Sequence, residues 1–259
     1  MKNITVILPI HKWDEEHSYM FNNAFQSVEQ FYNDVKLLIV GPNHVLTNVI
    51  INETNLEYKL IENNGNTDFC NQINLGIDNC ETEWFSILEV DDEYTKNWVT
   101  SMTTYMKENP DVGVFLSLVK DVNVEGNFLS YTNESPWAYG FTDKQGFLDN
   151  QALLEYQNFQ ISGGLYNTST IKEHGKLKEN IKLTFGYELL LRLSHNNVLI
   201  MTVPKIGYQH VNFRENSLFW SYKNLENHKL SEKEVKFWLD TAKKEFFFKT
   251  VRDIKYVEN

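Results

Sequence analysis

Apolar positions along the chain alternate between two periods. Ile4–Ile10 is a run of β-branched and aliphatic residues closed by Pro9, which predicts a buried strand ending in a loop at 11–16. Residues 18–31 then place Met20, Phe21, Ala24, Phe25, Val28 and Phe31 at helical spacing. Val35–Val40 reads as a second buried strand stopped by Gly41-Pro42-Asn43, and 57–62 as a third, followed by the turn signal Asn63-Asn64-Gly65-Asn66. Helices are expected over 68–80 and 98–107, and strands over 84–88 and 112–119, the last flanking the strand 84–88. Strands alternating with helices in this way predict a largely parallel, doubly wound α/β sheet with helices on both faces.

Past residue 121 the pattern loosens into loops dense in aromatic residues, including Trp137 and Tyr139. A helix is expected over 183–194 and a strand over 198–203. An amphipathic helix is expected over 231–248, opened by the capping box Ser231-x-x-Glu234. Its Phe246-Phe247-Phe248 is expected to pack back onto the body. The organisation this implies is a first half over 1–120 of a nucleotide-binding kind, a second half over 121–228 and a helical tail over 229–259.

The chemistry-bearing stretch is Trp84–Tyr94. Its apolar strand runs into four carboxylates, Glu89, Asp91, Asp92 and Glu93. Close carboxylates repel one another unless protons or a cation neutralise them. Hard oxygen ligands at the carboxyl edge of an α/β sheet suit Mg2+ or Mn2+ shared with a phosphate-bearing ligand. A solvated acidic turn would look the same from these residues alone.

Composition narrows the choice. With 259 residues and a formal net charge of −11, bulk electrostatics do not favour nucleic acid or an anionic membrane. An anionic substrate would need a cation or a local basic cluster. Aromatic residues make up 14%, suited either to large cores or to stacking on sugars. Cys70 and Cys80 form no disulfide framework, and no segment reaches membrane-spanning length, so a cytoplasmic location is expected.

The order of motifs resembles the family 2 glycosyltransferases of GT-A fold. The residues that carry the resemblance are Val6-Ile7-Leu8-Pro9-Ile10-His11, Ala24-Phe25-Gln26-Ser27-Val28, Leu37-Leu38-Ile39-Val40, Asn63-Asn64-Gly65, Asn74-Leu75-Gly76 and Leu88-Glu89-Val90-Asp91-Asp92. The likeness is dense over about the first 95 residues and fainter to about residue 220. It implies an inverting, metal-dependent transfer of a hexose-type sugar from a nucleotide diphosphate to a hydroxyl, with a glycan as the expected acceptor. A UDP-sugar is the expected donor, and the metal is Mn2+ or Mg2+. Residues implied at the donor are Pro9, His11, Asn43, Gln72, Glu89, Val90 and Arg214. Residues implied at the metal are Asp91, Glu89 and His210.

Lys12 stands where the family has an asparagine, Glu89 stands where it has the first aspartate of the acidic triplet, and three further stretches depart from its pattern. Gly41-Pro42-Asn43-His44 stands where acids often contact the base, leaving Asn43 for that contact. Ile73 replaces the usual arginine, and Gln72 is expected to take over. In Phe185-Gly186-Tyr187-Glu188-Leu189-Leu190-Leu191-Arg192 the catalytic aspartate would fall on Gly186, so Glu188 is the expected base, its other reading being a partner for Arg192. Trp137, Tyr139 and Trp220 are candidate platforms for an acceptor sugar. A non-catalytic carbohydrate-binding relative is the alternative. A nucleotidyltransferase is disfavoured, because Pro9-Ile10-His11-Lys12-Trp13 has no glycines.

Overall fold

The computed structural model describes residues 2–51, 53–214, 217, 236–237 and 239–244. Ten strands join one mixed sheet. They are β1 (Ile4–Pro9), β2 (Val35–Pro42), β3 (Glu57–Asn63), β4 (Trp84–Ile87), β5 (Glu93–Tyr94), β6 (Val112–Val122), β7 (Phe128–Thr132), β8 (Phe147–Leu148), β9 (Leu165–Asn167) and β10 (Leu199–Val211). The helices are α1 (Glu15–Glu29), α2 (Asn43–Leu46), α3 (Phe69–Asp78), α4 (Trp98–Glu108), α5 (Asn150–Glu155), α6 (Thr168–His174) and α7 (Phe185–His195).

The main path through the sheet is β3-β2-β1-β4-β9-β6-β10-β5. Strands β3, β2, β1 and β4 are mutually parallel, as the alternating pattern predicts. Contrary to the expected pairing, β6 does not flank β4: the short strand β9 lies between them, antiparallel to both. Three residues were too short a run to announce a strand by period. Strand β10 extends well past the expected 198–203, and its last residues carry His210 to the sheet edge.

Both faces of β1 are buried, which is why its sequence is apolar apart from Thr5, whose hydroxyl is hydrogen-bonded to that of Thr82. Val6 and Leu8 pack with Phe21, Ala24 and Val28 of α1 on one face. Ile7 packs with Ile73 and Ile77 of α3 on the other. Burying each such aliphatic side chain contributes about 1.5–3 kcal/mol. Helix α1 begins at Asp14, whose Oδ1 accepts from the His17 amide at 2.9 Å, with Glu15 and Glu16 in the first turn. Helix α3 begins likewise at Asp68, which accepts from the Asn71 amide.

The two Asn-x-Gly motifs have separate physical jobs. Gly65 adopts φ +81°, and its amide donates to Asn63 Oδ1 at 3.0 Å, closing the turn after β3. Gly76 lets α3 lie against β1, since a Cβ there would stand 2.4 Å from Ile7 Cγ2. Asn74 ties α3 to the segment before α7 by donating to the Leu177 carbonyl and accepting from its amide.

Strands from both sequence halves share the one sheet. Of the expected C-terminal helix, 236–237 and 239–244 are helical, while Ser231, Glu234, Phe246, Phe247 and Phe248 lie outside the described residues. Among the described residues no helix is long and apolar enough to cross a membrane.

Candidate active site

The acidic run leaves β4 at the carboxyl ends of the parallel strands and opens on a cavity of about 850 Å3. That volume falls in the range of pockets that enclose a nucleotide-sized ligand. Its walls include Pro9, His11, Gln72, Glu89, Val90 and Asp91 from the first half of the chain. The second half contributes Asp121, Gln160, Thr184, His210 and Arg214 among others.

Glu89 is fixed from several sides. Its amide donates to the Tyr208 hydroxyl at 3.0 Å, and its Oε1 accepts from Ser162 Oγ at 2.7 Å. Gly163 permits this approach: it has φ +75°, and a Cβ there would stand 2.5 Å from the Tyr208 ring. Asp92 is fully buried and accepts from the Val211 amide at 2.9 Å, while His210 Nδ1 lies 3.0 Å from Asp92 Oδ2. Ligand atoms of Glu89, Asp92 and His210 lie within 4.8 Å of one another.

Charge crowding shows in the titration of this trio. Burial, then the Asp92 and Asp91 charges, push the Glu89 carboxyl up to about 7. Part of Glu89 remains exposed, but its surface opens on the cavity. Burial also raises Asp92. For His210 burial acts downward, but the charges of Asp92, Glu89 and Asp91 together overcome it and lift the imidazole to about 10. The protein alone thus supplies a proton to hold two carboxylates together, the role a cation fills in a site of this composition.

Asp91 has a different partner from the one expected. Its Oδ2 accepts from Arg214 Nε at 2.9 Å and lies 2.9 Å from Nη2. The metal-spaced trio therefore contains Asp92, to which the motif reading assigned no role, in place of Asp91. The acidic run itself was visible, but which of its members turn inward depends on β10 arriving beside it.

Among the described residues, three buried polar atoms of cavity-lining side chains have no hydrogen-bond partner: Gln72 Oε1, Thr184 Oγ1 and Arg214 Nη1. Gln72 is 1% exposed and its Nε2 donates to the Thr67 carbonyl, which leaves Oε1 as a buried, unused acceptor. Unpaired buried groups are costly, and their convergence on one cavity marks a polar ligand site. His11 lines the same cavity, its imidazole held low by burial and by neighbouring His17 and Arg214. His17, 3% exposed and 2.6 Å from Asp14 Oδ1, meets the His11 ring edge-on.

Two expected site residues are elsewhere. Asn43 opens α2 in an exposed position and does not line the cavity. Glu188 is fully buried on the side of α7 away from the cavity, bonded to Arg192 Nε at 2.9 Å and 3.3 Å from Lys178 Nζ. Arg192 in turn donates to the carbonyls of His174, Gly175 and Lys176. Glu188 therefore anchors the segment before α7 and does not face a substrate, because four residues along a helix put it directly over Arg192.

The sugar platforms also differ. Trp137 is not on the cavity wall; its Nε1 donates to the Thr202 carbonyl and its ring covers Gly146. Tyr139 is fully exposed away from the cavity, and Trp220 lies outside the described residues. The aromatic residues that do line the cavity are Phe69, Tyr156, Phe159, Phe185, Tyr187 and Phe213.

A parallel sheet that delivers an acidic run to its carboxyl edge, beside a nucleotide-sized polar cavity, is the arrangement of the GT-A fold, and solved structures share it. Residues 1–349 of S. aureus TarS in complex with UDP align at 16% identity and a TM-score of 0.64, over 95% of this chain and 70% of that one. The same fragment in complex with UDP-GlcNAc aligns at 14% identity and a TM-score of 0.65, over 93% and 65%. The mannosyltransferase PcManGT from Pyrobaculum calidifontis, in complex with GDP-Man and Mn2+, aligns at 9% identity and a TM-score of 0.59, over 83% and 58%. The sequence model for glycosyl transferase family 2 matches residues 44–162 of this chain. No curated protein sequence matches it.

Proposed function

We propose that the protein transfers a sugar, with inversion, from a UDP-sugar to a hydroxyl of a glycan acceptor, and that it needs a divalent cation to do so. The observation that carries this reading is the Glu89–Asp92–His210 trio, of which Glu89 and His210 line a cavity whose wall also includes Gln72 and Arg214. Two carboxylates and an imidazole are a donor set suited to Mn2+ or Mg2+, and their close spacing fits one ion. Such an ion, held by these residues with Asp91 beside them, would offset negative charge on a departing nucleoside diphosphate.

The chain's own groups supply the rest. Arg214, held in place by Asp91, would bind the diphosphate as a second anion. Gln72 Oε1 accepts from an N–H or O–H of the nucleoside, which suits the imide of uracil. His11 and Pro9 line the wall beside them. The division into a donor half over 1–120, an acceptor half over 121–228 and a tail over 229–259 is part of the same proposal, as is cytoplasmic action.

The absence of a carboxylate at Gly186, where a Cβ would already press on Ile161 at 3.1 Å, favours a second reading: a protein that binds nucleotide-sugar without turnover. One experiment separates the two. Purified protein is incubated with a panel of UDP- and GDP-sugars with and without Mn2+, and nucleoside diphosphate release is followed together with calorimetric binding. Mn2+-dependent release supports the transferase; binding without release supports the second reading; neither removes both.

A further inference from the structure

A hydroxyl that attacks an anomeric carbon must lose its proton, and neither Gly186 nor the sealed Glu188 can take it. Among the described residues the carboxylates on the cavity wall are Glu89, Asp91, Asp121 and Glu155. Glu89 belongs to the trio and Asp91 is bound by Arg214. Glu155 is exposed and accepts from Gln151 Nε2 at 2.5 Å. Asp121 remains.

We propose that Asp121 is the group that receives the acceptor hydroxyl and takes its proton, an inference that rests on the transferase reading above. Asp121 is the penultimate residue of β6, is 5% exposed and lines the cavity. Its Oδ2 accepts from Thr132 Oγ1 at 2.7 Å and Ser130 Oγ at 3.0 Å, which fixes the carboxylate plane. Its Oδ1 has no hydrogen bond among the described residues, so one oxygen is anchored and the other is free toward the cavity.

Register explains the placement. Asp121 pairs with His210 across the parallel β6–β10 ladder, so both side chains leave the same face of the sheet. The proton acceptor thus stands one strand over from the trio that would hold the donor's diphosphate end. Ser130 and Thr132 come from β7, which pairs antiparallel to β6, with Ser130 opposite Asp121. Leu129 is skipped in that pairing, which turns Phe128 to the opposite face and keeps its ring off the carboxylate.

In the step, the hydroxyl oxygen forms a bond to the anomeric carbon while its proton passes to Asp121 Oδ1. The bond from the anomeric carbon to the phosphate oxygen breaks, and its electron pair leaves on the nucleoside diphosphate. Asp121 later releases the proton to solvent. When water takes the acceptor's place the same transfer applies, so hydrolysis of the donor reports it.

The test compares wild type with Asp121→Asn, an isostere that keeps partners for Ser130 and Thr132. UDP-GlcNAc, UDP-glucose and UDP-galactose are the donors, with Mn2+, and UDP affinity is measured by calorimetry on the same samples. The expected result is a fall in kcat for donor hydrolysis of about 100-fold or more, the scale of general base catalysis, at unchanged UDP affinity. Asp121→Asn hydrolysing at the wild-type rate overturns the assignment. So does a loss of UDP affinity that matches the loss of rate, which would make Asp121 a donor-binding residue. If wild type itself releases no UDP from any of the three, the transferase reading fails before the variant is consulted, and this inference fails with it.

Discussion

Asp91 and Arg214, 123 positions apart in the chain, form a two-point ion pair through Asp91 Oδ2, and the guanidinium is 8% exposed. Both line the cavity, and Arg214 Nη1 is left without a hydrogen bond, 3.9 Å from Glu16 Oε1. An arginine held in place by one carboxylate with a donor to spare is preorganised for a second anion. Arg214→Ala is expected to weaken UDP binding in the presence of Mn2+ by roughly 10-fold or more, the scale of a lost charge-assisted contact. Calorimetric titration measures it; an unchanged affinity would remove Arg214 from the donor site.

Glu188 should behave as a structural residue. It is fully buried against Arg192, so truncating it leaves a guanidinium uncompensated in the core. Glu188→Ala is expected to lose about 3–5 kcal/mol of unfolding free energy. Urea denaturation gives the value. A variant that kept full stability yet lost turnover would restore Glu188 as a catalytic group.

Gly163 links the loop 160–163 to the trio through Tyr208. Its φ of +75° and the 2.5 Å approach of a Cβ to the Tyr208 ring leave no space for a side chain. Gly163→Ala is expected to cost about 1–3 kcal/mol by overpacking. Because the Tyr208 hydroxyl accepts from the Glu89 amide, the same change should lower Mn2+ affinity. Thermal unfolding and Mn2+ titration of the variant test the two effects separately, and an unperturbed protein would show that the loop does not brace the site.

The metal-free protein should lose stability as pH rises. Glu89 has a folded value near 7 against 4.5 unperturbed, so its folded form resists ionisation and stability is lost as pH climbs through that interval. His210, raised from 6.5 to about 10, contributes stability below its unfolded value and loses it as pH rises through the folded one. Both act in the same direction. The thermal midpoint without metal is therefore expected to fall from mildly acidic to alkaline pH. Added Mn2+ should recover more of it at the alkaline end, where no proton competes for His210. A midpoint that stays flat or rises with pH contradicts this account of the trio.

What the chain declares by itself is local. Residues 6–9 and 37–40 are buried on both faces and so carry apolar runs that any fold would have to bury. Asp68 stands at the start of the expected helix over 68–80, because a cap bonds only residues two or three positions ahead, whereas Asp14, which caps α1, fell in the expected loop at 11–16. The acidic run after β4 marks the site for the same reason: its charges crowd along the chain itself.

Only the tertiary structure decided which acids serve. Asp92 faces His210 and Asp91 faces Arg214 because β10 crosses the sheet beside β5, a pairing of residues more than a hundred positions apart. Glu188 was sealed and Asp121 exposed to the cavity by helix phase and strand register, each of which turns a side chain to one face or the other by a single residue. Spacing along a chain records which residues can be neighbours on one element, whereas a site assembled across β4, β6 and β10 is set by how those elements pack.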